Sequence, residues 1–235
     1  MTLEAFPENW DRALAVVAHP DDMEYGAASA VAKWTASGKW VGYVLVTRGE
    51  AGIESMPPDQ AGPLRVEEQR QSCSAVGVDM LEFLDHPDGL VVADRALRAD
   101  IAGAIRRHRP EMILSINYRD SWGGPSWNHA DHRFVGTALL DAVRDAANPW
   151  VFPEHGPAWG GVRGVAFGGS PAATHFVDVS GWVERGVASL RCHAVYLANL
   201  GDHGDDPGGF LRDAAAAAGS RAGVEHAVEF EIVAA

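Results

Sequence analysis

Short apolar runs alternate with longer amphipathic stretches along most of the chain. The run Ala13–Ala18 is apolar at every position, which is typical of a strand buried on both faces of a parallel sheet. Similar runs at Trp40–Thr47, Met80–Asp85 and Glu111–Ile116 predict three further strands. Because a helical pattern separates each strand from the next, we expect βαβ crossovers. The predicted fold class is α/β, a Rossmann-like, mostly parallel sheet with helices on both faces.

Helices are predicted where apolar residues recur every three or four positions and a glycine or proline ends the pattern. Beyond Asn148 the sequence becomes rich in proline, glycine and tryptophan, and "PWVFPEHGPAWGG" predicts an irregular surface loop. We expect one domain over residues 1–235, with a core at about 14–200 and a C-terminal extension at about 201–235. The predicted helices are about Tyr25–Ser37, Val66–Gly77, Ala93–Pro110, Asp131–Asn148, about Gly181–Leu200 and a segment around Ala214–Ala218; short strands are predicted at Gly164–Phe167 and Ala227–Val233, with a Gly/Asp-rich loop after Leu200.

Charge and composition restrict the classes of partner. The formal charge of −13 argues against nucleic acid and anionic membrane surfaces as partners, but allows a metal cation or a neutral sugar. Cys73 and Cys192 form no disulfide framework or CxxC pattern, and no stretch is apolar for the roughly 20 residues of a membrane span. The N-terminus lacks the apolar core of a signal peptide. We therefore expect a cytoplasmic protein, as a monomer or a homo-oligomer.

Two polar clusters follow predicted strands. "AVVAHPDDMEYG" places His19 and Asp22 three residues apart after the first strand, and "SWNHADHRFVG" places His129 and His132 three apart after the fourth. Ligands of open α/β sheets bind at the carboxyl ends of strands, so the clusters are expected to converge. A histidine, a carboxylate and a distant histidine form a set of three metal ligands, which leaves a coordination position for water, as in a catalytic zinc site. Asp21 would then be free to accept a proton from that water.

Each cluster also has a purely structural interpretation. The aspartates of "HPDD" are good helix N-caps, and a helix start with an aspartate and two exposed histidines is unremarkable. The joint occurrence of the two clusters, each after its own strand, favours a metal site. The isolated histidines are interpreted as surface or packing residues: His86, His108, His155, His203 and His226.

The pair "AHPDD" and "HADH" resembles the LmbE-like, or PIG-L, family of zinc-dependent N-deacetylases, and weaker similarities extend the resemblance from about Leu14 to about Leu200. The family has a Rossmann-like fold and removes acetyl groups from N-acetylglucosamine-containing substrates. The resemblance implies that His19, Asp22 and His132 bind zinc. It further implies that Asp21 is the base for attack by metal-bound water. His129 would assist the tetrahedral intermediate or protonate the leaving amine, and Asp131 would orient His129.

The resemblance also assigns residues to the substrate. Arg65 and Asp88 align with family residues that hold sugar hydroxyls, although Arg65 could be an exposed helix-start cation and Asp88 a turn former. Trp127 stands where several bacterial members have tyrosine; its indole N–H can donate a hydrogen bond but cannot ionise. His193 lines the pocket or packs a helix. Loop tryptophans near the second cluster either line the pocket or pack the loops: Trp122, Trp127, Trp150 and Trp159.

Several alternatives stay open at the level of the sequence. The same machinery could cleave a larger acyl group from a mycothiol-like conjugate, or the chain could be an inactive sugar-binding protein. Iron(II) or another divalent metal suits the same nitrogen and oxygen ligands as zinc. The expected partner is a small N-acetylated sugar, and the attached group is not identified by the sequence.

Overall fold

The computed structural model describes residues 3–201 and 206–235. One mixed sheet of eight strands runs through the centre of the described chain. Its strands are β1 (Glu4–Ala5), β2 (Arg12–Val17), β3 (Trp40–Leu45), β4 (Met80–Phe83), β5 (Met112–Ile116), β6 (Gly164–Gly168), β7 (His175–Asp178) and β8 (Ala227–Ala234), in the spatial order β1-β7-β8-β6-β5-β2-β3-β4.

Helices cover both faces of this sheet, as predicted. Along β2, Ala13, Ala15 and Val17 pack in one apolar core, whereas Leu14 and Val16 pack in the other. Five of the seven strand pairs are parallel. The helices are α1 (Asp22–Gly26), α2 (Ala28–Ala36), α3 (Pro58–Ala75), α4 (Arg95–His108), α5 (Ala130–Ala147), α6 (Val183–Leu190), α7 (Ala194–Ala198) and α8 (Pro207–Ala222), with a 3-10 turn at Pro153–His155.

The reversal of strand order lies between β2 and β5. The chain builds β3 and β4 on one side of β2, then crosses back to add β5 and β6 on the other side. The two polar clusters that follow β2 and β5 therefore lie side by side at the carboxyl ends of these adjacent strands. The predicted fold class and the predicted convergence of the clusters are both confirmed.

A close glycine contact sets the position of α1. A Cβ atom built on Gly168, at the end of β6, would lie 2.5 Å from the carbonyl oxygen of Gly26. Only glycine therefore lets the end of β6 approach the end of α1 this closely. Because α1 begins at Asp22, the contact also bears on the position of the first polar cluster.

Several predicted boundaries differ from the structure. The helix expected at 25–37 is split at Ala27, and the late helix expected at 181–200 is split around 191–193. Helix α3 begins at Pro58, eight residues before the predicted start, because proline is well placed in a first helical turn. Strands β1 and β7 had no recognisable pattern because both are short.

The C-terminal segment contributes an interior strand. β8 pairs antiparallel with both β6 and β7 and so joins β7 and β1 to the rest of the sheet. The alanine run Ala214–Ala218 is helical, within α8. Part of the Gly/Asp-rich loop, with His203, lies outside the described residues. Across 3–201 and 206–235 no helix is long and apolar enough to cross a bilayer, and the cytoplasmic location stays a prediction.

Candidate active site

Four side chains from the two clusters meet where β2 and β5 end. His19 follows β2, and Asp22 is the first residue of α1. His129 is the N-cap of α5, and His132 lies in the first turn of that helix. Loops and helix starts at the end of adjacent strands thus bring residues more than 100 positions apart into contact.

Three donor atoms face one another in this cluster. His19 Nδ1 lies 3.1 Å from His132 Nε2, and Asp22 Oδ1 lies 3.0 Å from His132 Nε2 and 3.8 Å from His19 Nδ1. Zinc bonds of about 2.0–2.1 Å at tetrahedral angles place ligand atoms about 3.3 Å apart. The observed separations therefore suit one shared divalent cation, and these are the three residues predicted to bind it.

Hydrogen bonds from neighbouring residues orient the three predicted ligands. Asp22 Oδ2 accepts hydrogen bonds from the backbone N–H groups of Ala18 and His19, at 3.0 and 2.9 Å, which leaves Oδ1 facing the imidazoles. His132 Nδ1 lies 2.9 Å from the amide oxygen of Asn128. A His132 that donates from Nδ1 presents the lone pair of Nε2 to the cluster.

His19 is oriented by carboxylates in the same way. Its Nε2 lies 3.1 Å from Asp131 Oδ2 and 3.1 Å from Asp88 Oδ1. In the neutral form that donates from Nε2, the lone pair of Nδ1 points at Asp22 and His132. Three lone pairs then meet in a buried position, and such an arrangement is stable when a cation binds between them. The residues present therefore fit a divalent metal.

The electrostatics of the cluster also favour a cation. Burial lowers the pKa of His19, but the Asp131, Asp22 and Asp88 carboxylates outweigh burial and raise that pKa well above its ordinary value. Burial raises the pKa of Asp22, but the imidazoles of His132 and His19 outweigh it and hold the pKa far below its usual range. The carboxylates thus stabilise positive charge between them.

Asp21 is buried, has a strained backbone conformation, and has a carboxyl pKa closer to neutrality than usual. Its φ angle of 92° is left-handed, an uncommon conformation for a residue other than glycine. Burial, opposed by Arg65 and reinforced by Asp22, raises the pKa of Asp21 to about 6. Its Oδ1 lies 3.3 Å from Arg65 Nη2, and its N–H donates to Gln69 Oε1 at 3.2 Å. A carboxylate held in this way is suited to general-base catalysis.

His129 presents a hydrogen-bond donor to the same space. Its Nδ1 accepts the backbone N–H of Asp131 at 3.1 Å, so the neutral ring carries its proton on Nε2. Burial, together with the charges of His19 and His132, lowers the pKa of His129. The neutral form of His129, which donates from Nε2 and carries no charge, is therefore favoured over the protonated imidazolium.

Asp131 contacts His19 through its carboxylate and His129 through its backbone. The Asp131 carboxylate, which is fully buried, is bonded to His19 Nε2 and accepts the N–H groups of Gly89 and Val91 at 2.8 and 3.2 Å. Toward His129, Asp131 donates its backbone N–H to Nδ1 at 3.1 Å, and an orienting role of its carboxylate for that ring stays a prediction. Asp131 thus orients a predicted metal ligand.

A cavity of about 740 Å³, which we call the strand-end cavity, opens over the cluster. Of the predicted substrate-binding residues, Arg65 and Asp88 line it. Trp127 is two-thirds exposed and lies outside the lining, with Arg133 over its ring. His193 is fully buried outside the lining, and its Nε2 lies 3.7 Å from Glu24 Oε2. Residues lining the cavity include His19, Asp21, Asp22, Tyr25, Gly52, Arg65, Asp88, Trp122, His129, His132, Tyr196 and Phe210.

Arg65 joins Asp21 to the surrounding backbone. Its guanidinium is 2% exposed, donates to the carbonyl oxygens of Pro20 and Gly49 at 2.5 and 3.1 Å, and stacks 3.8 Å from the ring of Tyr196. A Cβ atom on Gly49 would lie 2.3 Å from Arg65 Nη1, so this glycine makes room for the arginine. The interpretation of Arg65 as an exposed cation is wrong, and its contacts show that it holds Asp21.

Sequence reasoning missed several residues around the site. Asn128 lies in the second cluster directly before "HADH", and an amide at this position is the signal that could have identified it. Gln69 donates to Glu24 Oε1 at 2.9 Å and accepts the N–H of Asp21, but its position on α3 carries no sequence signal. Tyr196 and Phe210 reach the cavity from α7 and α8, far along the chain.

The four loop tryptophans have separate roles. Trp122 is 37% exposed and lines the strand-end cavity, with its ring 5.8 Å from that of His132. Trp159 packs on the apolar core and donates its indole N–H to the carbonyl oxygen of Pro110 at 2.8 Å. Trp150 is 87% exposed and, like Trp127, lies outside the lining. The expectation that some line the pocket and others pack is met by Trp122 and Trp159.

Comparison with known proteins places these features in context. The family model of PIG-L, described as GlcNAc-PI de-N-acetylase, matches residues 14–143. The diacetylchitobiose deacetylase of Thermococcus kodakarensis is 30% identical over 188 residues, which cover 77% of this chain and 68% of that protein. A 1D-myo-inositol 2-acetamido-2-deoxy-alpha-D-glucopyranoside deacetylase 2 of Frankia casuarinae is 30% identical over 176 residues, covering 63% of this chain and 54% of that protein.

Solved structures share the fold. The N,N'-diacetylchitobiose deacetylase of Pyrococcus horikoshii, complexed with its inhibitor MPG, superposes with a TM-score of 0.86 at 23% identity. The superposition covers 96% of this chain and 85% of that one, and at this identity it establishes the fold. The family match includes both polar clusters and ends within α5.

Proposed function

The chain belongs to the PIG-L family of GlcNAc-PI de-N-acetylases, and we propose that it is a metal-dependent hydrolase that removes the acetyl group from an N-acetylglucosamine-containing small molecule. The observation that carries this proposal is the convergence of His19, Asp22 and His132 beside the buried carboxylate of Asp21. The relatives named above act on N-acetylated sugars, which supports the substrate class.

The three donor atoms would hold a divalent metal, which we propose to be zinc. A metal in this position supplies a Lewis acid that polarises an amide carbonyl and makes water acidic near neutral pH. The second ring nitrogens of His19 and His132 are already bonded, to Asp131, Asp88 and Asn128, which sets the imidazoles for binding before the ion arrives.

Asp21 is proposed as the general base. It takes a proton from the attacking water, and it then holds the proton that the leaving amine needs. Arg65 keeps the carboxylate oriented through contact with Oδ1 and with the preceding carbonyl of Pro20. His129, neutral and with its proton on Nε2, donates a hydrogen bond to the oxyanion that develops on the amide oxygen.

The size of the strand-end cavity suits a sugar. Its volume of about 740 Å³ is within the range of small-molecule sites, and its lining combines aromatic rings with polar groups around the cluster. Among the residues proposed to contact the sugar, Arg65 and Asp88 line this cavity, whereas Trp127 and His193 lie outside it. A sugar-binding protein without activity would have no use for the strained, buried Asp21.

The test is amine release from N-acetylglucosamine and N,N'-diacetylchitobiose by protein loaded with zinc or with iron(II). Asp21→Asn keeps the left-handed backbone accessible, since asparagine tolerates it, and should lower turnover about 10²–10⁴-fold while metal content stays at one ion per chain. Asp22→Asn should instead lose the metal. Asp120→Asn, on an exposed loop, is the matched control and should retain both. Wild-type turnover by Asp21→Asn at full metal content would contradict the proposed base.

A further inference from the structure

A second open cavity, of about 760 Å³, adjoins the strand-end cavity, and we call it the α8 cavity. Tyr25 and Gly26 line both cavities, three and four residues after the predicted metal ligand Asp22. Trp122, Gly169 and Ala214 also line both. The two cavities therefore adjoin along a shared wall to which α1 and α8 both contribute.

Small apolar side chains create the space of the α8 cavity. Helix α8 lines it with Leu211, with alanines along the next two turns, and with Arg221 near the end of the helix. Pro171 and Ala173 line it as well, from the segment after β6. The alanines on α8 that line the cavity are Ala214, Ala215, Ala217 and Ala218.

The charged residues that line this cavity are paired. Arg221 Nε and Nη2 lie 2.7 Å from the two carboxylate oxygens of Glu229. Glu24 Oε1 accepts hydrogen bonds from Gln69 and Ser72, and its other oxygen faces His193 at 3.7 Å. With these charges compensated, the lining favours an apolar ligand group over an ion.

We infer that the α8 cavity binds an apolar aglycone, an aryl or alkyl group joined to the sugar of the substrate. The inference rests on the proposed function. Because the group removed there is acetyl, the acyl side of the amide is too small to reach a second cavity. The sugar side carries whatever extends beyond the strand-end cavity, and Trp122 at the shared wall offers an aromatic surface to it.

A matched pair of substrates isolates the aglycone. Methyl and phenyl N-acetyl-β-glucosaminide differ only in the apolar group, and kcat/KM is measured for each by amine release. The enzyme variants are Ala217→Phe, which puts a ring into the α8 cavity, and Ala216→Phe, which adds the same ring at the neighbouring exposed position outside its lining. Methyl N-benzoyl-β-glucosaminide carries the ring on the acyl side instead.

The wild type should prefer the phenyl over the methyl glycoside by about tenfold, the effect of burying roughly two methylene equivalents. Ala217→Phe should abolish this ratio, and Ala216→Phe should preserve it. Equal ratios in the two variants, or no wild-type preference, would overturn the inference. A preference for the N-benzoyl substrate that Ala217→Phe removes would assign the cavity to the acyl group and overturn it as well.

A binding measurement separates this inference from the proposed function. Phenyl β-glucosaminide has no amide to hydrolyse, so its affinity is measured by calorimetry whether or not the protein is active. We expect Ala217→Phe, and not Ala216→Phe, to weaken its binding about tenfold relative to methyl β-glucosaminide. Absence of amine release from every substrate contradicts the proposed function. Equal binding of the two glycosides instead contradicts the inference that the α8 cavity binds an apolar aglycone.

Discussion

Substitution of one glycine should displace the helix that carries a predicted metal ligand. In Gly168→Ala, the new Cβ atom would lie 2.5 Å from the carbonyl oxygen of Gly26 and 3.0 Å from its carbonyl carbon. An ordinary contact begins at 3.4 Å, so the end of α1 must move by 0.9 Å, the difference between 3.4 and 2.5 Å. The neighbouring atoms are backbone, which cannot rotate away as a side chain can.

The cost of such overpacking is about 1–3 kcal/mol of unfolding free energy. For a chain of this length the melting temperature falls about 2–4 °C per kcal/mol, so Gly168→Ala should melt about 2–12 °C lower. Gly26→Ala is the control on the other side of the same contact. Its Cβ atom would meet Ile116 at 3.7 Å, an ordinary distance, and we expect unfolding free energy within about 1 kcal/mol of the wild type.

Equilibrium urea unfolding of the two variants and the wild type measures these differences. Because α1 is only five residues long, movement at Gly26 is transmitted to Asp22, and Gly168→Ala should also bind zinc more weakly in a competition titration. If Gly168→Ala unfolds at the same urea concentration as Gly26→Ala, the close approach of β6 and α1 does not constrain the site, and the reasoning is refuted.

One further substitution and one labelling reaction test other parts of the structure. Asp131→Asn replaces one carboxylate oxygen by an NH₂ group that cannot accept hydrogen bonds from the N–H groups around it. The affinity for the metal, measured by competition with a chelator, should therefore fall about 10–100-fold, whereas the exposed control Asp120→Asn should keep the wild-type affinity. Equal metal affinities of the two variants would exclude a role of Asp131 in orienting His19. Burial raises the pKa of Cys73 to about 12, and its side chain is enclosed by the core. At pH 8 an aromatic disulfide reagent should therefore label only Cys192 in the folded protein, and both thiols once the protein is unfolded in urea. Equal rates for both thiols before urea is added would show that Cys73 is accessible.

The elements next to the site were the most predictable part of the fold. Buried parallel strands are continuous apolar runs, so β2, β3 and β5 were recognised within one or two residues. Their alternation with helices indicates a doubly wound sheet, in which the first and fourth predicted strands commonly flank the reversal of strand order, and this predicted the convergence of His19 and His132. These predictions needed only local patterns and the handedness of crossovers.

Hydrogen-bond partners within the site were less predictable. "HADH" predicts that Asp131 lies beside two histidines, but its carboxylate hydrogen-bonds to His19 of the other cluster, and this contact depends on the rotation of α5 relative to β2. Arg65 looked like a surface cation because α3 is mostly polar, and its burial follows from Gly49 and Tyr196, which pack around it from distant segments. Such contacts are determined by tertiary packing and leave no periodic signal.

The antiparallel placement of β8 has a consequence for biosynthesis. A nascent chain that has reached residue 200 already contains β2, β5 and both polar clusters, but β7 and β1 cannot join the sheet until residues 227–234 leave the ribosome. Until then the edge of β6 that pairs with β8 stays open to other strands, and exposed strand edges promote aggregation. Dependence on chaperones during synthesis should therefore be greatest for chains stalled between residues 168 and 227.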